Sequence, residues 1–455
     1  MSGLERMDDW LGGGEQCGEE GCALPEAGSG SRLEEIETME DARAGANPAG
    51  SSAAEVIGDR TVDKAAIAAS VPRRIMPGAT IGVLGGGQLG RMLAHAGGRM
   101  GYRFVTLDPT PDSPCGQTAR QIVARYDDRD AARELANQSD VITYEFENVD
   151  AGVAAMLEAE AYVPQGSALL YTTQHRLREK RALEAAGARV APYEEIKSRE
   201  SLFEAVSRLG LPAVLKTATG GYDGKGQWVL RADADLEPAW TEASRAGVEL
   251  VLEQFVPFVK ELSVIAARRP SGEIRTFPPA ENVHMRNILH LSIVPARISD
   301  SVRAEAERLA LSIAESLGVV GLVAVEMFLT EDGTLYVNEL APRPHNSGHY
   351  SMDACRTSQF EQHIRAICDL PLGDTSLLTP VVMVNVLGEH MERLMRWLPS
   401  CDEEAEKLGV EPKLHLYGKA EAKFGRKMGH LNVLAPQTGA ALAWISQTDI
   451  WKDEA

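Results

Sequence analysis

The run TIGVLGGGQLGRMLAHAGGRMGYRFVTLD, residues 80–108, constrains the fold class more than any other part of the chain. It reads as a strand, a glycine turn, a helix and a second strand. DVITYEFENV, residues 140–149, is a further strand-like run after a short polar helical pattern. Strands alternating with helices in this way call for an α/β fold, with a parallel sheet and crossover helices.

Downstream the texture changes. Residues 176–190 read as a helix, and VLKTATGGYDGKGQWVL as two strands around a glycine-rich loop. ELVLEQFV and ELSVIAAR follow as strands, then a polar helix near 300–317 and a hairpin in GLVAVEMFLTEDGTLYVNEL. From Pro380 a β-rich piece closes the chain through VVMVNVLG, KLHLYGK and HLNVLA. Residues 1–75 are different in kind: 15 acidic and 7 basic residues, 11 glycines and one aromatic, Trp10. Such a segment cannot bury enough apolar area to offset its ordering entropy, so a disordered acidic extension is expected there.

The chain carries a formal net charge of -20, which argues against a nucleic-acid or anionic-membrane binder. No stretch approaches the roughly 18 apolar residues of a transmembrane helix, and the start lacks the pattern of a signal peptide. Six scattered cysteines do not make a disulfide framework, so a reducing cytoplasm is the expected compartment.

Two glycine loops invite phosphate chemistry. Gly85 to Gly90 fits G-x-G-x-x-G after a strand and before a helix, with Asp108 ending the next strand. Alone it leaves open a dinucleotide site, a phosphate or small-substrate pocket, or simple close packing. The second loop follows Lys216 at the end of AVLK. It runs into a strand rather than a helix and is no Walker A motif. A flexible glycine loop between two strands, with a lysine on the entering strand, suits a lid over nucleotide phosphates. A loose hairpin turn would need fewer glycines.

The hairpin supports the sharpest inference. Asp332-Gly333 reads as a two-residue turn, and that register sets Glu326 directly opposite Glu339. Like charges facing across strands are destabilising unless something neutralises them. Both glutamates sit inside apolar runs, and Mg²⁺ commonly takes one or two carboxylates plus substrate phosphates. Asn338 can add an amide oxygen. The loop that follows, APRPHNSGHY, carries Arg343, His345, Asn346, Ser347 and His349, a density of donors suited to an anionic substrate or intermediate. Zinc is weakly supported, because no further ligand set accompanies the two histidines.

The strings GGGQLGRML, TGGYDGKGQW, VLEQFV and NELAPRPHNSGH together resemble the ATP-grasp superfamily, and within it the N5-carboxyaminoimidazole ribonucleotide synthetases. The resemblance runs from about Thr80 to Ala435. It implies a Rossmann-like pre-ATP-grasp domain without dinucleotide (76–175), an ATP-grasp domain (176–376) with a mobile lid at about 190–255, a small C-terminal β-rich domain (377–438) and a tail (439–455). The implied reaction takes ATP, bicarbonate and 5-aminoimidazole ribonucleotide to the N5-carboxylated ribonucleotide, ADP and phosphate, through carboxyphosphate. A homodimer is implied as well.

Residue by residue, the resemblance puts Arg176 and Lys216 on the ATP phosphates. The loop of Gly221, Tyr222, Asp223, Gly224, Lys225, Gly226 and Gln227 closes over them. Glu253, Gln254, Phe255 and Val256 form the adenine strand, Glu261 holds the ribose, and His284 and Asn338 complete the nucleotide site. Glu326 and Glu339 match the Mg²⁺ ligands, with Mn²⁺ as a substitute. Asp223, Arg343, His345 and Asn346 are the implied catalytic group around bicarbonate and carboxyphosphate. The ribonucleotide lies against Gly87, Gln88, Leu89, Glu145 (preferred to Glu147), Tyr222 and Lys225, its phosphate against Lys419 and Arg426. The rivals are a glycinamide ribonucleotide transformylase, a biotin carboxylase, an NAD(P) oxidoreductase using the first glycine loop, and a non-catalytic nucleotide sensor. The HNSGH loop argues against the transformylase. No Met-Lys-Met biotin acceptor is present, the oxidoreductase leaves both glutamates unexplained, and a sensor would be expected to lose Lys216 or a metal glutamate.

Overall fold

The computed structural model describes residues 72–220, 225–399 and 403–452. Most of the expected acidic extension therefore lies outside the described residues. Its last residues do not behave as a tail. Ile75 is buried, its N–H donates to Cys368 O at 3.0 Å, and its carbonyl accepts from the Tyr102 hydroxyl at 2.7 Å.

Four parallel strands follow: β1 (Thr80–Leu84), β2 (Arg103–Asp108), β3 (Arg120–Val123) and β4 (Val141–Tyr144), in the order β3-β2-β1-β4. The apolar runs of β1, β2 and β4 are buried on both faces, as a sheet built from crossovers demands, while β3 at the edge is largely exposed. The helix Gln88–Arg99 covers one face together with Phe360 and Ile364 of the helix Gln359–Ile367. Helices Arg129–Asn137 and Ala151–Glu160 cover the other through Leu135 and Val153.

A second, antiparallel sheet is formed by β5 (Tyr193–Ile196), β6 (Ala213–Thr217), β7 (Gln227–Leu230) and β8 (Leu250–Gln254), ordered β5-β8-β6-β7. It has its own core, in which Leu215 and Leu252 pack on Leu202 and Ala239 of two covering helices. The glycine loop joins β6 to β7, and its residues Gly221, Tyr222, Asp223 and Gly224 lie outside the described residues.

The remaining strands share one sheet: β9 (Phe258–Arg268), β10 (Ile274–Thr276), β11 (Ala280–Met285), β12 (Ile288–Val294), β13 (Gly321–Thr330), β14 (Leu335–Ala341), β15 (Val381–Leu387), β16 (Glu411–Leu416) and β17 (Lys427–Leu434). Their order is β14-β13-β9-β11-β12-β15-β17-β16, with β10 beside β9. The C-terminal strands thus extend the central sheet through β12 and β15 rather than forming a sheet of their own. The expected tail after residue 438 is likewise corrected. It is the helix Thr438–Gln447, and Ala441, Trp444 and Ile445 recur at helical spacing to enter the C-terminal core. Trp444 meets Trp397 and Trp451 edge-on. Among the described residues no helix is long and apolar enough to cross a membrane.

Because Trp444 is 1% exposed, Trp444→Ala should cost about 3–5 kcal/mol of stability. Denaturant unfolding would show it as a lowered midpoint at unchanged slope; a wild-type midpoint would return the segment to a loose tail.

Candidate active site

A cleft of about 570 Å³ opens where the three sheets meet. Its rear wall is the hairpin β13–β14, and the local fold explains which side chains it shows. On β13, Val323, Val325, Met327 and Leu329 enter the core beneath the sheet with Leu309 and Ile313 of the helix Asp300–Ser316. Glu326 and Phe328 alternate to the opposite face and line the cleft.

Glu326 pairs with Glu339, as the sequence implies, but by a different route. The turn is not a two-residue one. Such a turn would want positive φ at both central residues, and only Gly333 has it, at 85°. Thr330 and Thr334 therefore close a three-residue loop, Thr330 N–H donating to Thr334 O at 3.0 Å. Near the loop the ladder is offset by one, with Met327 opposite Val337. A bulge at Asn338 then restores the offset and inverts the alternation. Leu335 and Val337 point into the core, Asn338 and Glu339 both face the cleft, and Leu340 returns to the core. Without that extra residue, Glu339 would share the face of Val337.

The two carboxylates are not left to repel each other. Arg176, opening the helix Arg176–Ala185, donates Nη1 to Glu339 Oε2 at 3.3 Å. His345 Nε2 lies 3.0 Å from Glu326 Oε1. Burial pushes the Glu326 carboxyl up, but the His345 hydrogen bond and the nearby His284 and Arg343 more than offset it, so it stays ionised well below the usual range. Among the described residues no cluster of three or more His, Cys, Asp or Glu forms a metal cage. Two carboxylates with an adjacent amide suit a hard cation that brings phosphate oxygens and water with it, which is the habit of Mg²⁺. They do not suit zinc: His345 spends its nitrogens on Glu326 and Ser347, and His349 faces Gln359.

Toward the second sheet the lining turns cationic. Lys216 of β6 and Lys180 are both buried, and they hold the two oxygens of Glu253 at 3.0 and 3.2 Å. Burial lowers the Lys216 ammonium below its ordinary range, partly countered by Glu253. The side chain of Glu253 thus serves the lysines rather than lining the cleft. Gln254 turns away to donate to Leu209 O at 2.9 Å. Phe255 and Val256 pack with Phe258 and Phe328, whose rings stack with centroids 4.6 Å apart, giving the cleft an apolar shelf. Glu261 and His284 face each other at 2.8 Å. Lys225 and Gln227 also line the cleft, while Gly226 lies beside them in the loop.

The first glycine loop is already filled. Gly86 N–H donates to Asp108 Oδ2 at 2.8 Å, Gly87 N–H to Glu145 Oε1, and Gly90 N–H to Glu145 Oε2 at 2.6 Å. The chain's own carboxylates occupy the N–H groups that a dinucleotide pyrophosphate would need. A Cβ at Gly87 would collide with the Glu145 carboxylate, which accounts for the glycine there. Burial pushes the Glu145 carboxyl up to about 7 in spite of those two backbone bonds. Gln88, Leu89 and Glu145 line the cleft, and Gly87 sits behind Glu145.

Arg343 is not an open fork. Its Nε and Nη2 grip Glu147, the latter at 3.1 Å, and Nη1 donates to Pro344 O at 3.3 Å. Lys419 and Arg426 are not among the residues that line the cleft. Lys419 Nζ donates to Lys427 O at 2.8 Å and Arg426 Nη1 to Glu421 O at 2.9 Å. The basic residue of that segment reaching the cleft is Lys427.

Comparison with known proteins settles the family. A ribonucleotide synthetase preATP-grasp domain model matches residues 78–174, an ATP-grasp domain model residues 181–360, and a phosphoribosylaminoimidazole carboxylase C-terminal domain model residues 381–443. The N5-carboxyaminoimidazole ribonucleotide synthase of Bacillus subtilis (strain 168) is 54% identical over 361 residues, covering 79% of this chain and 92% of the relative. That of Brucella melitensis is 45% identical over 365 residues, covering 80% and 98%. The crystal structure of an ADP complex of N5-carboxyaminoimidazole ribonucleotide synthetase superposes with a TM-score of 0.80 at 55% identity, covering 84% of this chain and 99% of that one. This chain belongs to the N5-carboxyaminoimidazole ribonucleotide synthase family. The Aspergillus clavatus synthase, solved with ADP and 5-aminoimidazole ribonucleotide, matches with a TM-score of 0.75 at 31% identity over 82% and 98% of the two chains.

As an ATP-grasp ligase of this family, the chain also carries site residues that sequence reasoning passed over. Glu147 was set aside for Glu145, although an acid two residues on in an irregular loop can face the same cleft. Phe328, Asn287 and Lys427 also line it. Phe328 was readable from the β13 alternation, two residues after Glu326. Lys427 stands beside Arg426 in the basic run KFGRK, residues 423–427, but the strand phase that selects it is not visible in the sequence.

Glu253 supplies a test of the cationic wall. Burial opposes its charge, but Lys180, Lys216 and Arg176 outweigh this and bring its carboxyl down to about 2. Its folded value is below the unfolded one, so its stabilising contribution is present above about pH 4.5 and lost as pH falls toward 2. Glu253→Gln should cost about 3–5 kcal/mol at pH 7 by stranding two buried ammonium groups. The gap from wild type should narrow in acid unfolding below pH 4; a constant gap would mean that the carboxylate does not carry the pair.

Proposed function

We propose that this cleft carboxylates 5-aminoimidazole ribonucleotide with bicarbonate at the expense of ATP, yielding the N5-carboxylated ribonucleotide, ADP and phosphate in purine biosynthesis. The observation that carries the reading is the order of groups along one cleft: buried cations, then the paired carboxylates, then the Arg343–Asn346 loop. The shelf at Phe328 suits an adenine ring, and Lys216 and Arg176 stand where its phosphates would lie. Glu326, Glu339 and Asn338 would hold Mg²⁺, which supplies charge neutralisation for the transferring phosphoryl group.

Bicarbonate oxygen attacks the γ-phosphorus, the bond to ADP breaks, and carboxyphosphate results. The exocyclic amine of the ribonucleotide then takes the carboxyl group, phosphate leaves, and the amine gives up a proton. Both amide atoms of Asn346 are buried without a partner among the described residues. The amide oxygen can accept from the hydroxyl of bicarbonate while the amide N–H donates to its anionic oxygen. His345 stands in the cleft as a proton-handling group, and Asp223, assigned the same task, lies outside the described residues. Carboxyphosphate is short-lived in water, so the sheet β5–β8 and its glycine loop act as the lid. The buried free thiols Cys115, Cys355 and Cys368 support a reducing, cytoplasmic setting. A homodimer, implied by the resemblance, would appear as twice the chain mass in light scattering.

The direct test is ADP release with bicarbonate in the presence of aminoimidazole ribonucleotide, glycinamide ribonucleotide, or neither. Stimulation by the first alone is expected; stimulation by glycinamide ribonucleotide would overturn the substrate assignment. Glu339→Gln should abolish turnover at ordinary Mg²⁺, and near wild-type activity would remove the metal role.

The loop residues should affect coupling rather than nucleotide affinity. His345→Ala and Arg343→Lys, the latter keeping a counter-charge for Glu147, should retain ATP binding yet lose product formation by roughly 10²-fold. Lys216→Ala should instead weaken ATP binding itself. Calorimetric titration of ATP beside product assays separates the two, and equal loss of affinity in all three would refute the division.

A further inference from the structure

Behind His345 lies a file of buried polar groups that crosses the apolar sheet. Ser292 Oγ donates to Asn282 Oδ1 at 2.9 Å, and Asn282 Nδ2 to Ser263 Oγ at 2.9 Å. Ser263 Oγ donates to Ser347 Oγ at 2.7 Å, and Ser347 Oγ lies 2.8 Å from His345 Nδ1. These four residues come from β12, β11, β9 and the turn Asn346–Gly348, and none is more than 6% exposed. On its far side the imidazole reaches Glu326, which is the register partner of Ser263 on the adjacent strand.

The direction of the file can be worked out from one fixed donor. The backbone N–H of Ser347 points at His345 Nδ1 at 3.4 Å, and a peptide N–H can only donate. Nδ1 is therefore an acceptor and carries no proton. The Ser347 hydroxyl must then spend its single proton on Nδ1, which leaves its oxygen to accept from Ser263. Ser263, its proton committed, must accept from Asn282, so the amide nitrogen faces it and the amide oxygen faces Ser292. Each bond dictates the next. At the other end, Nε2 lies 3.0 Å from Glu326 Oε1, so the remaining ring proton points at that oxygen.

Building on the carboxylation reading above, we propose that this file fixes His345 as its Nε2–H tautomer, making Ser347, Ser263 and Asn282 positioning residues. A ring with one proton, aimed at Glu326 Oε1, orients that carboxylate without cancelling its charge. Glu326 thus stays available to a cation while its direction is set. The opposite tautomer would turn a lone pair toward the carboxylate.

The test uses the full chain with nitrogen-15-labelled histidine, free of metal and nucleotide, at one neutral pH. Long-range nitrogen–proton correlation distinguishes the tautomers, and His345→Asn identifies the signal by its loss. Wild type should show the Nε2–H pattern. Ser347→Ala should shift it toward Nδ1–H or a mixture and lower product formation about 10-fold, the lower end for removing a group that orients an active-site histidine. Ser263→Ala, one bond further out, should move both in the same direction by less, and Ser263→Thr should restore them. A doubly protonated or Nδ1–H ring in wild type overturns the proposal. So does an unchanged Nε2–H signal with wild-type rate in both alanine variants. Should Ser347→Ala fail to fold, the wild-type spectrum and Ser263→Ala decide. The spectra need no substrate, so failure of the carboxylation assay and failure of the tautomer are separate results.

Discussion

Two glutamates side by side on the sheet face that lines the cleft form the constraint around which the rest of this cleft is arranged. Bringing Glu326 and Glu339 together is unfavourable unless each has a partner that offsets its charge or directs it. The chain meets this from two directions. Arg176 comes from the helix preceding the second sheet, and His345 from the loop following β14. The helix start is therefore held to the hairpin by charge and the loop by a hydrogen bond, and a ligand cation would enter an arrangement already half neutralised.

The same logic extends one layer outward. Glu179, on the helix that carries Arg176, is buried and accepts Leu340 N–H at 2.8 Å. Burial and the neighbouring Glu339 push its carboxyl up to about 8, against the pull of that N–H and of Arg176 and Lys180. It therefore sits largely protonated at neutral pH, which spares the hairpin a third negative charge. The helix is tied to β14 twice, through Arg176 at the cleft and Glu179 behind it. The bulge at Asn338 lies just before the second tie, where a locally disrupted ladder leaves a backbone N–H needing an acceptor from elsewhere.

Much of this was legible in the amino-acid sequence, for reasons that differ by element. The parallel sheet and its helices follow from periodicity, and the β6–β7 glycine loop from composition. The Glu326–Glu339 pairing was reached correctly through a two-residue turn that does not exist. The three-residue loop and the bulge each displace the register by one, in opposite senses, and only their sum is visible at the glutamates. The C-terminal helix was missed because ALAWIS is apolar nearly all round and gives little amphipathic contrast. Lys427 was missed because charge density locates a basic segment but not which of its residues line a cleft. Side-chain direction there depends on the phase of β17, a tertiary property.

The first glycine loop shows why a phosphate-binding motif needs its surroundings before it can be read. Its glycines and helix N-terminus create the anion site that the pattern promises, and the structure fills that site with Glu145 and Asp108. Both acids come from the ends of neighbouring strands, β4 and β2, where a dinucleotide fold would leave the N–H groups to its cofactor. The motif is therefore obeyed physically while its usual ligand is refused. Tyr126 adds a 2.6 Å bond to the same Asp108 oxygen that accepts from Gly86, closing the position from the far side. What the loop then offers the cleft is an edge, Gln88 and Leu89, at the start of a helix where the Gly87 and Gly90 N–H groups are already spent on Glu145. The residues at the end of the N-terminal sheet, Gln88, Leu89 and Glu145, thus form one wall of the cleft.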